Sequence, residues 1–109
     1  AQGNLPAALK TYRDGLAIRE RLAQADPGNA GWQRDLSVSY SKIGTIFRKT
    51  GDRTNALKAL EEGQTIMVRL TQASPDNAGW KQDLIWFDKE IAELRRPIAR
   101  PDRRASSRR

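Results

Sequence analysis

The 109-residue chain contains no cysteine and no histidine. The first absence removes disulfides and thiolate nucleophiles, the second removes imidazole catalysis, and together they remove nearly all zinc sites. Ser37, Ser39 and Ser41 have no imidazole or thiol to activate them, and they read as small packing or surface residues. Neither phosphate cradle, G-x-G-x-x-G or G-x-x-x-x-G-K-[ST], occurs. Glu61 and Glu62 are adjacent, so on a helix they diverge and read as solvated side chains rather than a metal pair. Long apolar runs are lacking as well. The most concentrated, Leu84-Ile85-Trp86-Phe87, is far shorter than the roughly 20 residues that cross a bilayer. Nothing at the N-terminus has the form of a secretory signal. The expectation is a cytoplasmic protein with no catalytic activity, no cofactor or metal, and no membrane span.

Charge is abundant but unevenly placed. The formal net charge is +7. Arg95, Arg96, Arg100, Arg103, Arg104, Arg108 and Arg109 fall within the last fifteen positions, against one acid, Asp102. The rest of the chain holds 13 basic and 12 acidic residues and is almost neutral. Residues 97–109 are too charged and too poor in apolar groups to offset the entropy of ordering them, so a disordered basic tail is expected. Its arginines suit non-specific attraction to nucleic acid or another anionic partner, without aromatic residues for base stacking. Arg103-Arg104-Ala105-Ser106 resembles a basophilic kinase site, a pattern that arises easily in an arginine-rich segment.

The strongest positive signal is an internal repeat. "DPGNAGWQRDL" begins at Asp26 and "SPDNAGWKQDL" at Ser74, and Trp32 and Trp80 stand 48 positions apart. At that offset, 18 of the 42 pairs from Gly3/Gly51 to Gly44/Ala92 are identical, among them Ala8/Ala56, Gly15/Gly63, Ile18/Ile66 and Leu22/Leu70.

Apolar residues recur at helical spacing through four segments, near 4–25, 30–50, 53–73 and 78–96. Asn4 can cap the first, with Pro6 in its tolerated first turn. Either Asn29 or Asp26 can cap the second, Gly51 ends it, and Asp52 caps the third. Pro97 limits the fourth. No segment shows a convincing strand pattern, so the fold class is all-α. The repeated phrase marks the loop before every second helix, and its tryptophan is expected to be mostly buried against the preceding helix.

These residues resemble the tetratricopeptide repeat family. Tyr40-x2-Ile43-Gly44-x2-Phe47, a turn at Gly51-Asp52, and Ala56-x3-Leu60-x2-Gly63 follow its pattern, and Gly3-Asn4, Ala8-x3-Tyr12-x2-Gly15 repeat the second half. The resemblance covers roughly residues 3–96. The period of 48 exceeds the usual 34 and is similar to the elongated repeats of kinesin light chains and of many bacterial repeat proteins. It implies antiparallel helix pairs stacked as a fragment of a right-handed α-solenoid. It also implies binding of a peptide or partner helix on a concave face, which would present Val38, Ser41, Thr45, Arg48, Trp86 and Lys89. Carboxylate-clamp members carry lysine and asparagine where this chain has Ser41 and Thr45, which argues against recognition of chaperone C-termini.

Two irregularities accompany the resemblance. The chain opens on the second helix of a repeat, so an upstream repeat or another chain is expected to cover its apolar side. Leu5, Leu9, Tyr12, Leu16 and Ile18 form the expected surface for self-association, giving a homo-oligomer. In the fourth segment one row stays apolar (Phe87, Ile91, Leu94) while the next becomes Asp88, Ala92 and Arg95, as a terminal capping helix should.

Overall fold

The computed structural model describes residues 4–96, which contain four α-helices and no strand. The expected tail and Arg100, Arg103, Arg104, Arg108 and Arg109 lie outside the described residues. Helix α1 spans Leu5–Ala25, α2 Ala30–Lys49, α3 Arg53–Ala73 and α4 Ala78–Arg95.

The helix starts follow from local chemistry. The Asn29 side-chain oxygen accepts the Trp32 amide at 3.0 Å, and Asn77 accepts the Trp80 amide at the same distance. The choice between Asn29 and Asp26 is thereby decided, and Asp26 serves instead as the C-cap of α1. Asp52 accepts the Asn55 amide at 3.1 Å and the Asn55 side chain at 2.7 Å, which holds its carboxyl below the ordinary range. Asn4 differs from expectation. It occupies the N-cap position of α1, but its side chain makes no capping hydrogen bond, because its backbone lacks the extended conformation of Asn29 and Asn77.

Gly51 ends α2 with φ of +84°, a conformation that costs a residue with a Cβ. The turn lets the Asp52 amide reach the Phe47 carbonyl at 2.9 Å and the Gly51 amide reach Arg48 at 3.1 Å, closing the orphan carbonyls of α2.

Extensive contacts join α1 to α2, α2 to α3, and α3 to α4. Links of three or four residues between such long helices in contact turn the chain back each time, as in antiparallel bundles. Small residues set the closest approaches. A Cβ on Gly44 would lie 2.7 Å from Leu60, and one on Gly63 would lie 2.5 Å from the Phe87 ring. The core lies around α3, where Ala56, Leu60, Ile66, Met67 and Leu70 are buried together with Leu36 and Phe47 of α2 and Phe87 and Ile91 of α4. Each large side chain so buried contributes on the order of 1.5–3 kcal/mol relative to exposure.

Trp32 and Trp80 are alike: neither is fully enclosed, but most of the surface of each is covered, as expected. Trp80 packs against the main core cluster, beside Ile66 and Leu70 and the loop residues Pro27 and Gly28.

Candidate functional site

Three surfaces collect the side chains singled out by sequence. The first is the boundary between α2 and α4. Arg34 Nε donates to Asp83 at 2.9 Å, and Arg48 pairs with Glu90 and, at 3.1 Å, with Glu93. These ion pairs tie the two repeat-equivalent helices together at both ends. Arg48 is therefore engaged by α4. The Ser41 hydroxyl donates to the Val38 carbonyl at 2.6 Å, and Thr45 donates to Ser41 at 2.9 Å. Both hydroxyls turn back on their own helix, as serine and threonine do when no stronger partner is offered. Trp86 and Lys89 remain exposed, and Val38 is half-buried. The Trp86 ring meets Phe87 edge to face, with centroids 5.2 Å apart.

The second surface is a groove between α1 and α3, floored by α2. One cleft of about 480 Å³ is lined in part by Glu20, Leu36, Tyr40, Glu62 and Arg69. A second, of about 450 Å³, is lined in part by Arg13, Tyr40, Phe47, Lys58 and Glu62. Tyr40 donates to the Glu20 carboxylate at 2.8 Å. Burial foremost, then the Glu20 hydrogen bond and the charges of Glu20 and Glu62, push its phenol well above the ordinary tyrosine range. The Arg13 guanidinium stacks 5.3 Å from the Phe47 centroid. A protonated phenol between carboxylates is a structural tether at neutral pH. The sequence reading missed this groove, because Tyr40 and Glu20 lie twenty residues apart on different helices.

The third surface is the outer side of α1. Structure divides the set expected to self-associate. Leu9 and Leu16 pack inward against the core clusters, and Leu5 is half-buried. Tyr12 and Ile18 are exposed, at 39 and 52%, together with Leu22, at 39%. The sequence reading missed Leu22, although Leu22/Leu70 was among the identical pairs that marked the repeat. The counterparts Leu60, Ile66 and Leu70 are 1, 6 and 8% exposed. The same repeat position is thus a core residue in α3 and a surface residue in α1.

The basic residues also divide. Arg95 pairs with Glu61, and Arg96 offers its carbonyl to Arg53 at 3.2 Å. Glu61 is thus an ion-pair partner rather than only a solvated carboxylate. Ser37 donates to the Arg34 carbonyl at 2.7 Å and lies 3.2 Å from the Met67 sulfur, while Ser39 is buried. Among the described residues no group of acidic residues could hold a metal ion, and no helix is long and apolar enough to cross a membrane.

No family model, curated protein or solved structure matches this chain.

Proposed function

We propose that the four helices act as a non-catalytic protein-interaction module, a repeat fragment of solenoid type that takes a helical or extended segment of a partner. One observation carries this reading. The face that α3 buries against its neighbours is repeated on α1, with Tyr12, Ile18 and Leu22 in solvent. Apolar patches on a rigid helical frame are what protein partners bury. Catalysis has little to stand on, since Ser37 and Ser41 bond to their own helix and the Tyr40 phenol is tethered by a carboxylate. The exposed Trp86, with Val38 and Lys89, gives the expected concave face an aromatic anchor of the kind that dominates binding energy. A cytoplasmic setting suits a chain without cysteine.

Photo-crosslinking residues placed at positions 18 and 86 test this reading. Discrete protein adducts should persist in about 0.5 M salt and in a chain truncated before residue 98, because apolar contacts survive ionic screening. Adducts that vanish under both treatments would instead identify an electrostatic binder working through the arginines of residues 95–109.

A further inference from the structure

We propose that the open side of α1 and the adjoining rim of α2 dock a helix from outside the described residues, patterned like α2 but with altered charges. The proposal deepens the interaction reading by stating the chemistry of the partner.

The internal repeat shows what covers this face. On α3 the face is formed by Ala56, Leu60, Gly63, Ile66, Met67 and Leu70, all buried; α2 packs against it at Leu60 and Met67, and Phe87 of α4 fills the notch at Gly63. Four contacts position α2 there. Gly44 leaves room for Leu60, which a Cβ would meet at 2.7 Å. Ser37 lies 3.2 Å from the Met67 sulfur. Arg34 reaches Asp83, and Arg48 reaches Glu90, both on α4.

Shifted by one repeat, each receiving residue has a counterpart on the open side. Leu60 becomes Tyr12, Met67 becomes Arg19, Asp83 becomes Asp35, and Glu90 becomes Lys42. Tyr12, Arg19, Asp35 and Lys42, with Val38 and Ser39, line one cleft of about 240 Å³ between α1 and α2. No ion pair joins Arg19, Asp35 or Lys42 to another described residue.

The partner's pattern follows from these three substitutions and one identity. Tyr12 is larger than leucine, so the residue opposite it must again be glycine. Arg19 replaces a thioether, so the residue in the place of Ser37 must be an acid. Asp35 repeats Asp83 and requires the cation that Arg34 supplies. Lys42 reverses Glu90 and requires an acid in the place of Arg48. The partner helix therefore reads cation, then an acid three residues on, glycine seven further, and a second acid four beyond. Leucine in the place of Leu36 covers Ile18 and Leu22. Arg19 now lies over Gly15, its Nη1 2.7 Å from where a Cβ would stand, and rotation of that side chain brings it to the partner's acid.

A second copy of this chain does not supply that pattern. Its α4 carries Gln82, Ile85 and Ala92 at three of the positions, and Arg96, the C-cap beyond the helix, falls at the fourth. Ile85 offers no charge to Arg19, and Arg96 would oppose Lys42.

The test uses the full chain and a fluorescein-labelled peptide of residues 30–49 carrying Ser37→Glu and Arg48→Glu. Anisotropy should show saturable one-to-one binding. Adding Arg34→Glu to the peptide should weaken binding at least about tenfold, and Asp35→Lys in the chain should restore it. Ile18→Asp in the chain should abolish binding while circular dichroism stays unchanged, since Ile18 is exposed. The proposal is overturned if the Arg34→Glu peptide binds equally well, or if Ile18→Asp has no effect. It is also overturned if sedimentation shows a dimer of the unliganded chain that Ile18→Asp converts to monomer, for then a second copy is the occupant. Failure here alongside salt-resistant crosslinks from position 86 would leave the broader interaction reading standing.

Discussion

Matched positions in α1 and α3 meet different surroundings. Ile18 and Ile66 are the same residue at the same place in the repeat, yet one is in solvent and the other is core. The difference lies in neighbours: α3 has extensive contacts with both α2 and α4, and α1 has them with α2 alone. The residue types partly follow. Buried Met67 corresponds to Arg19, and buried Leu60 to half-polar Tyr12, so at these two positions the open face carries groups that tolerate water. Gly15 and Gly63 are identical and do different things. A Cβ on Gly63 would strike the rigid Phe87 ring, whereas on Gly15 it would meet only the end of the Arg19 side chain.

The largest test of this contrast is paired truncation. Leu60→Ala should destabilise the fold by about 2–5 kcal/mol through lost burial and a cavity. Tyr12→Ala should cost less than about 1 kcal/mol in urea unfolding. Equal losses would mean that α1 is as enclosed as α3.

A change of sign is expected at the glycines. Gly63→Ala should destabilise by about 1–3 kcal/mol, because α4 must move away from α3. Gly15→Ala should stabilise by roughly 0.5–1 kcal/mol, since alanine is the better helix former and the Arg19 side chain can yield. Thermal melts of the two variants moving in the same direction would break the comparison.

Tyr40 spans the gap between α1 and α2 and gives a pH test. Its folded pKa is raised above the ordinary value of 10.0. Its contribution is therefore complete below pH 10 and is lost as pH rises toward the folded value. Tyr40→Phe should remove the Glu20 hydrogen bond at a cost of roughly 1 kcal/mol and flatten the fall of stability above pH 10. An unchanged alkaline profile would show that the phenol is not protected.

The smallest expected effect concerns the ion pairs. A double-mutant cycle on Arg34 and Asp83 should give a coupling of about 0.2–1 kcal/mol that shrinks with salt, because both side chains are partly exposed. Asp35→Ala, at the equivalent position on α2, should be neutral in the isolated chain. A cost matching that of Asp83→Ala would place a cation beside Asp35.

Much of the fold was legible in sequence because its causes are local. The Gly51-Asp52 punctuation and the three- and four-residue apolar spacing needed no knowledge of neighbours. The helical class and the number of helices follow from them. Asn29 against Asp26 was a choice between two competent caps, decided by which oxygen faces the Trp32 amide. Asn4 has the right side chain in the wrong backbone conformation. The candidate surfaces were less legible. Leu9 and Ile18 are both apolar members of one helix, and periodicity alone joined them into a single face that structure divides. Tyr40 with Glu20, and Arg48 with Glu90 and Glu93, are contacts between helices that leave no trace in local spacing.

The sequence by itself determined a 48-residue unit, written almost twice, with its helices, turns and small-residue notches. It did so because helix periodicity, capping and repetition are properties of the chain near each residue. Only tertiary structure decided which copy of the unit is enclosed. A helix face is buried or open according to what packs on it, and the same Ile and Leu specify both outcomes. The glycines differ for another reason: the notch at Gly63 holds Phe87 of α4, whose repeat counterpart on α2 is Ser39, and only Arg19 comes within 4 Å of a Cβ placed on Gly15.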